Sequence, residues 1–290
     1  MVYATVVIAT HNRVDILRRT LEAMLRQDFS DYEIIVVDDG SKDNTKTVLK
    51  EFSEKNKKIS TISYAKSGGP AKARNKGIDK AKGEIIAIMD DDCIPAKNWL
   101  GNLISPFKQN KKIGITSSYS EFGGTSTAYR KELLLKSEKF DENFPFSNRE
   151  DTDTVFKIQD LGFDVKKVNA DFEHVHKQPE GLGNKIKYGL KRIWIHQVDP
   201  LLYKKHPKRA KEFMDIKFGF LRNPMADFKT ATGLWASDGK MNFSSPQGIV
   251  LLQNKTPVHT LTIILLGIGY VFLVKFARLW GSIKHGKLLI

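Results

Sequence analysis

Apolar and polar positions along the first hundred residues fall into blocks whose period changes from one block to the next. Residues 3–9 form a short β-rich apolar run, and over residues 14–27 Ile16, Leu17, Leu21, Met24 and Leu25 share one helical face. Residues 33–37 are continuously apolar and stop at Asp38-Asp39-Gly40-Ser41, which is turn chemistry. The pattern then predicts a helix over 42–56, a strand over 59–65, a helix over 70–82 and a buried strand over 84–89 that runs into Asp90-Asp91-Asp92. Strands alternating with helices imply a parallel sheet covered on both faces. Ligands of such sheets sit at the carboxyl ends of the strands, where these acidic groups fall. The pattern is that of an α/β nucleotide-binding layout.

From about Thr116 the pattern shortens into strands and loops around Gly123-Gly124. A helix is expected near 152–161 behind Glu150-Asp151, and a strand near 163–172 ends at His174 and His176. Beyond Gly181 and Gly183, Ile186, Leu190, Ile193 and Trp194 share one helical face with Lys187 and Lys191 beside it. Residues 258–274 are 17 residues without a formal charge. At 1.5 Å per residue they reach roughly 25 Å, short of a ~30 Å hydrocarbon core. Phe276, Leu279, Trp280 and Ile283 follow at helical spacing among Lys275, Arg278, Lys284 and Lys287, a composition suited to a membrane interface. A single spanning helix would put these cations in the cytoplasm and the preceding domain outside, yet no secretory leader is expected from the pattern and that domain itself ends in a basic stretch. An in-plane or re-entrant segment removes the conflict.

Charge sharpens the division. Residues 1–180 carry 29 basic and 28 acidic side chains, whereas residues 181–290 carry 18 basic and 5 acidic. The front is a near-neutral domain, and the back calls for an anionic partner. The apolar 17-mer and the lack of a nucleic-acid motif argue for a membrane surface, with no nucleic acid expected. One cysteine, Cys93, excludes an internal disulfide framework.

Three acidic groups are candidates for chemistry. Alternate residues of an extended chain project to one side, so Asp90 and Asp92 can share a site. Two carboxylates so placed repel unless a cation lies between them, and oxygen ligands suit Mg²⁺ or Mn²⁺. Asp38-Asp39 reads as a turn and cap, Arg74 as a phosphate ligand or a surface charge, and Glu150-Asp151 as a cap or a general base. His174 and His176, at a strand end near the acidic triplet, make one metal ligand plausible.

Together these blocks resemble the family 2 glycosyltransferases. The resemblance rests on Val7-Ile8-Ala9-Thr10-His11-Asn12-Arg13 and on residues 33–41 with Asp43. It continues through Ala73-Arg74-Asn75-Lys76-Gly77 and through residues 81–87 leading into the Asp triplet. Phe140-Asp141-Glu142, Glu150-Asp151 and Leu161-Gly162-Phe163 look like the acceptor half, which carries the likeness to about residue 176.

The resemblance implies a GT-A fold, a Rossmann-like α/β domain that uses a nucleoside-diphosphate sugar and Mn²⁺ or Mg²⁺ and inverts the anomeric carbon. It would place Thr10 and Asp39 at the nucleoside, with Asn12 nearby, and Arg74 near the base or diphosphate. Asp90 or Asp91 would face ribose or metal water, Asp92 and His174 the metal, and His176 less directly so. Asp151 would be the catalytic base, beside Glu150. The expected organisation is a catalytic domain over 1–180, a basic helical region over 181–256 that meets acceptor or membrane surface, and an apolar segment with a basic amphipathic helix over 257–290. A lipid-linked or membrane-surface glycan acceptor at the cytoplasmic face of the membrane fits that tail. The alternatives are a nucleotidyltransferase, for which a glycine-rich phosphate loop is missing, and a non-catalytic membrane or nucleic-acid binding module.

Overall fold

A computed structural model describes residues 2–145, 148–175, 180–232, 235–237, 240–242 and 257–290. The chain divides into two compact units, Met1–Lys177 and Gln178–Ile290.

In the first unit the order is β1 (Ala4–Thr10), α1 (Val14–Met24), β2 (Tyr32–Asp38), α2 (Thr45–Lys55), β3 (Ile59–Ser63), α3 (Pro70–Lys80) and β4 (Ile85–Asp90). There follow β5 (Cys93–Pro95), α4 (Trp99–Gln109), β6 (Ile113–Ser117), β7 (Thr127–Arg130), α5 (Lys131–Lys136), α6 (Glu150–Asp160), β8 (Asp164–Lys167) and β9 (Phe172–His174). Seven strands make one sheet in the order β3-β2-β1-β4-β7-β6-β8. The β3-β2-β1-β4 half is parallel, as the alternating pattern requires. In the other half β7 runs antiparallel to both β4 and β6. It does so because β6 returns through the short loop 118–126 instead of a helical crossover, and only a crossover makes neighbours parallel.

The inner parallel strands β1, β2 and β4 are largely apolar on both faces because both faces are covered, whereas the edge strand β3 is partly exposed. Val6, Ile8, Ile34, Val36 and Ala87 pack with Leu17, Leu21 and Met24 of α1 and with Trp99, Leu103 and Phe107 of α4. Each buried Val, Leu, Ile, Phe or Met among them contributes roughly 1.5–3 kcal/mol. On the other face α3 lies so close to the sheet that a Cβ at Gly77 would stand 2.5 Å from Val7 Cγ1. That approach fixes the helix whose Arg74 reaches the site and whose Asn75 donates to the Phe140 carbonyl at 2.8 Å.

Local chemistry moves several element ends. α2 starts at Thr45 because Asp43 Oδ1 accepts hydrogen bonds from Thr45 N at 3.1 Å and Thr45 Oγ1 at 2.5 Å. The other oxygen of Asp43 accepts from Val14 N at 3.2 Å, so one carboxylate ties the starts of two helices. The strand expected over 163–172 is two strands. β8 pairs with β6, after which the chain crosses over through residues 168–171 and β9 pairs antiparallel with β5, setting Cys93 opposite His174.

The second unit contains α7 (Leu182–Trp194), a 3-10 turn (Ile195–Val198), α8 (Asp199–Lys205), α9 (Pro207–Phe213), the pair β10 (Ile216–Lys217) and β11 (Leu221–Arg222), and α10 (Pro224–Thr232). The pair β12 (Trp235–Ser237) and β13 (Lys240–Asn242) precedes α11 (Pro257–His285). The apolar run and the basic amphipathic tail are thus one continuous helix of 29 residues. Its portion Ile264–His285 is long and apolar enough to cross a membrane by length and composition. At the centre of the unit Arg278 of α11 is fully buried and donates through Nε to Asp199 at 2.9 Å and through Nη2 to Asp227 at 2.7 Å.

Candidate active site

The site is built where β1, β2 and β4 end. β4 delivers the three aspartates in a row, and the structure sends each to a different partner. Asp90 accepts from Arg74 Nη2 at 3.0 Å. Asp91 is buried and accepts from Thr10 Oγ1 at 2.7 Å and Arg13 Nη1 at 2.8 Å. Asp92 accepts from the same Arg13 nitrogen at 2.7 Å and lies 3.2 Å from His174 Nε2. Burial pushes the Asp91 carboxyl up to about 6 against the opposing charge of Arg13. For Asp92 burial also opposes ionisation, but the His174 hydrogen bond and the Arg13 charge outweigh it and hold the carboxyl below the usual range. The same hydrogen bond, partly offset by burial, raises His174 above the ordinary imidazole value.

Thr10, Asp39 and Asn12, expected at the nucleoside, stand at the ends of β1 and β2. Asp39 accepts from Ser67 Oγ at 2.6 Å, Gly68 N at 2.8 Å and Gly69 N at 2.9 Å. Its carboxylate therefore shapes the loop that leads into α3. Asn12 sits in the left-handed region at φ 55° and accepts from Lys42 N at 2.7 Å. His11 Nδ1–H donates to the Asp39 carbonyl at 2.8 Å, which leaves Nε2 to accept from Asn12 Nδ2 at 2.7 Å. The loops after β1 and β2 are locked to one another before any ligand arrives.

Glu150 and Asp151 are the first two residues of α6, while Arg149 at φ 78° occupies the capping position. A turn of the helix whose free N–H groups carry positive character favours acidic side chains there. Arg74 joins this helix start to the triplet, donating to Glu150 Oε1 at 2.7 Å and to Asp90 at 3.0 Å. Burial raises both carboxyls of the Glu150–Asp151 pair, and at Glu150 the Asp151 charge adds to it. Gly123 and Gly124, at φ 92° and 101°, pass against Asp151: a Cβ on Gly123 would stand 3.0 Å from Asp151 Cβ, and one on Gly124 3.5 Å from Oδ2. Only glycine combines that backbone with room for the carboxylate.

Asp92, Cys93 and His174 present ligand atoms within 4.8 Å of one another. Burial pushes the Cys93 thiol far up, so it stays protonated. The Asp92 carboxylate oxygen suits Mn²⁺ or Mg²⁺, and the His174 nitrogen beside it is a donor that a transition-metal ion such as Mn²⁺ accepts more readily than Mg²⁺ does; other positions remain for phosphate oxygens and water. His176 lies outside the described residues. Arg13 was given no role by the sequence pattern, although it bridges Asp91 and Asp92; its place directly after β1, opposite an acidic triplet, was the available signal.

Comparisons with known proteins agree with this architecture. A glycosyltransferase of Haloferax volcanii, AglE, is 28% identical over 167 residues, 56% of this chain and 55% of that protein. An Escherichia coli enzyme described as UDP-Glc:alpha-D-GlcNAc-diphosphoundecaprenol beta-1,3-glucosyltransferase is 34% identical over 122 residues, 42% of this chain and 47% of that one. The chain thus spans about half the length of these curated relatives. Among solved structures, a mannosyltransferase of Pyrobaculum calidifontis in complex with GDP-Man and Mn²⁺ superposes with a TM-score of 0.60 at 17% identity, covering 96% of this chain and 87% of that one. GalNAc-T7 with UDP, GalNAc and Mn²⁺ gives 0.56 at 18% identity over 75% of this chain and 56% of that one. These likenesses establish the GT-A fold. Residues 5–162, more than half the chain, match the family model described as glycosyl transferase family 2, and the chain belongs to that family.

Proposed function

We propose that the enzyme transfers a sugar, with inversion, from a nucleoside-diphosphate sugar to a hydroxyl of a lipid-linked or membrane-surface glycan. One observation carries this reading: Arg74 ties Asp90 to Glu150, at 3.0 and 2.7 Å, and so sets the start of α6 beside the triplet. Asp151 is then the general base and removes the acceptor proton as that oxygen attacks the anomeric carbon opposite the departing diphosphate. Its raised proton affinity suits a base working near neutral pH. One displacement inverts configuration and needs no covalent enzyme intermediate.

Asp92 and His174 would hold the divalent cation, Mn²⁺ or Mg²⁺, which when bound supplies charge neutralisation for the leaving diphosphate. Thr10, Asn12, Asp39 and Asp91 organise the nucleoside end, partly by fixing the loops that border it. The lipid-linked acceptor is supported by the glucosyltransferases of Escherichia coli and Campylobacter jejuni whose names specify diphosphoundecaprenol and PP-undecaprenol acceptors. A basic second unit favours an anionic membrane surface, and the negatively charged cytoplasmic leaflet is such a surface.

The test is a thermal-shift panel of purified protein with UDP, GDP, dTDP and CDP, each with Mn²⁺ and with EDTA. A cation-dependent rise with one diphosphate is expected. Asp151→Asn should keep that rise while lowering transfer roughly 10²–10⁴-fold; an undiminished rate would remove Asp151 from its role.

A further inference from the structure

The second unit has one face that its own polar chemistry does not explain. Among the described side chains of α11, every large one that is exposed between Leu261 and Ile283 is apolar, Phe272 at 70% and Ile283 at 74% exposed being the extremes. Of the two cations over that length, Arg278 is buried and Lys275 is half-buried, its Nζ donating to the Arg222 carbonyl at 3.3 Å. Beside it runs α7, in which no residue is buried and Leu182, Ile186 and Leu190 are exposed at the i, i+4, i+8 spacing of one helix face. Trp194 of α7 and Trp280 of α11 stand with ring centroids 6.5 Å apart, which joins the two surfaces. On the other flank of the stripe an apolar groove of about 340 Å³ opens between α10 and α11, lined by Met225, Phe228, Ile264 and Phe272 among others. Water-exposed apolar area of this extent marks an interaction surface.

The opposite side of α11 is committed to polar contacts within the same unit. Arg278 is held by Asp199 and Asp227, with Arg222 Nη1 3.6 Å from Asp199. The Tyr270 hydroxyl lies 3.0 Å from His196 Nε2, whose other ring nitrogen is 3.0 Å from Asp199. Past the helix the chain turns back, Leu289 N donating to Ser282 Oγ at 2.9 Å and Ile290 N to the Phe220 carbonyl at 2.8 Å. A spanning α11 would draw α8 and this ion cluster into hydrocarbon, where every buried charge is costly. A helix with one flank on a protein ion cluster and the other flank apolar fits a boundary between protein and lipid.

We infer that α7 and α11 form a one-leaflet membrane-docking face: the stripe and the α10–α11 groove receive lipid chains, and α11 lies in the membrane plane without crossing it. The occupant is a leaflet of anionic phospholipid. Lys185, Lys187 and Lys191 border the α7 side and Lys284 the end of α11, so cations flank the apolar surface as anionic headgroups require. The paired tryptophans suit the headgroup boundary. The inference deepens the membrane-surface part of the proposed function, which it takes as its setting, and places the hydrocarbon-facing residues of that surface.

The experiment uses the full chain with vesicles of phosphatidylcholine alone and of phosphatidylcholine with phosphatidylglycerol. Wild type floats with the anionic vesicles and is released from them by alkaline carbonate. Phe276→Glu/Ile283→Glu, at exposed positions, lowers flotation roughly tenfold or more, while the nucleotide-dependent thermal shift of the same variant equals that of wild type. Flotation unaffected by the double variant, no flotation of wild type, or self-association of the chain in place of vesicle binding overturns the inference. Carbonate-resistant insertion overturns its in-plane part, because a helix that crosses the bilayer is not extracted. Loss of the nucleotide response in wild type with flotation intact would sink the donor chemistry and leave the docking face standing.

Discussion

Replacing Arg74 by methionine keeps much of the side-chain volume and removes the charge between Glu150 and Asp90. The guanidinium is 7% exposed and Glu150 only 1%, so water cannot take over the lost interaction at Glu150. Asp90 is 31% exposed and suffers less. Removing one member of a buried pair costs about 3–5 kcal/mol, and the loss of the cation over the buried Phe140 ring, 5.7 Å from it, adds roughly 1–2 kcal/mol. With a urea slope of about 3 kcal/mol/M, the unfolding midpoint should fall by roughly 1–2 M. The deficit has a pH signature. In the variant the Glu150 carboxyl is left buried beside Asp151, so its folded-state affinity for protons exceeds the unfolded one, for which 4.5 is the reference. Stability is then least affected below pH 4.5 and falls as pH rises through the folded-state value. Equilibrium urea unfolding of wild type, Arg74→Met, Glu150→Gln and the double variant at pH 5 and pH 8 measures all of this. The double variant should recover about 0.5–3 kcal/mol relative to the sum of the singles. A single-variant loss below about 1 kcal/mol, or strict additivity, would refute the bridge.

Three further outcomes are expected. The acidic limb of the pH–rate profile lies above the ordinary aspartate value of 3.8, because burial raises Asp151 and deprotonation must precede proton removal; a limb at or below that value contradicts its role as base. Asp92→Asn abolishes the difference between Mn²⁺ and EDTA in the nucleotide thermal-shift assay, and a retained difference would place the cation elsewhere. Gly281→Ala would set a Cβ 2.0 Å from the Gln197 carbonyl oxygen, so α11 must shift. A loss of roughly 1–3 kcal/mol in urea unfolding of the full chain is expected, and an unchanged midpoint would show that the helix yields freely.

Much of the first unit is legible in the chain because its signals are local. β1, β2 and β4 are apolar runs, their helices have one apolar face, and the acidic groups fall at the ends of β2 and β4. Where pairing is non-local the pattern misleads. Residues 163–172 read as one strand because nothing in their order records that β8 must pair with β6 and β9 with β5. Likewise β7 reads as one more strand, and only the short return from β6 makes it antiparallel.

At the site, residue types were readable and assignments were not. The sequence identifies Asp90, Asp91 and Asp92 as a metal-suited cluster at a strand end. Tertiary structure decides that Asp91 turns inward to Thr10 and Arg13 while Asp92 meets His174 from a strand eighty residues on. It also converts Arg74 from a cationic side chain on a helix into the bridge between the triplet and α6. Composition alone marks the tail as basic and apolar. Which side of α11 packs inward is decided by where Asp199 and Asp227 lie to receive Arg278. Periodicity and turn chemistry act over a few residues and are written in the chain, whereas the partner of a charge depends on distant segments and exists only once the fold has brought them together.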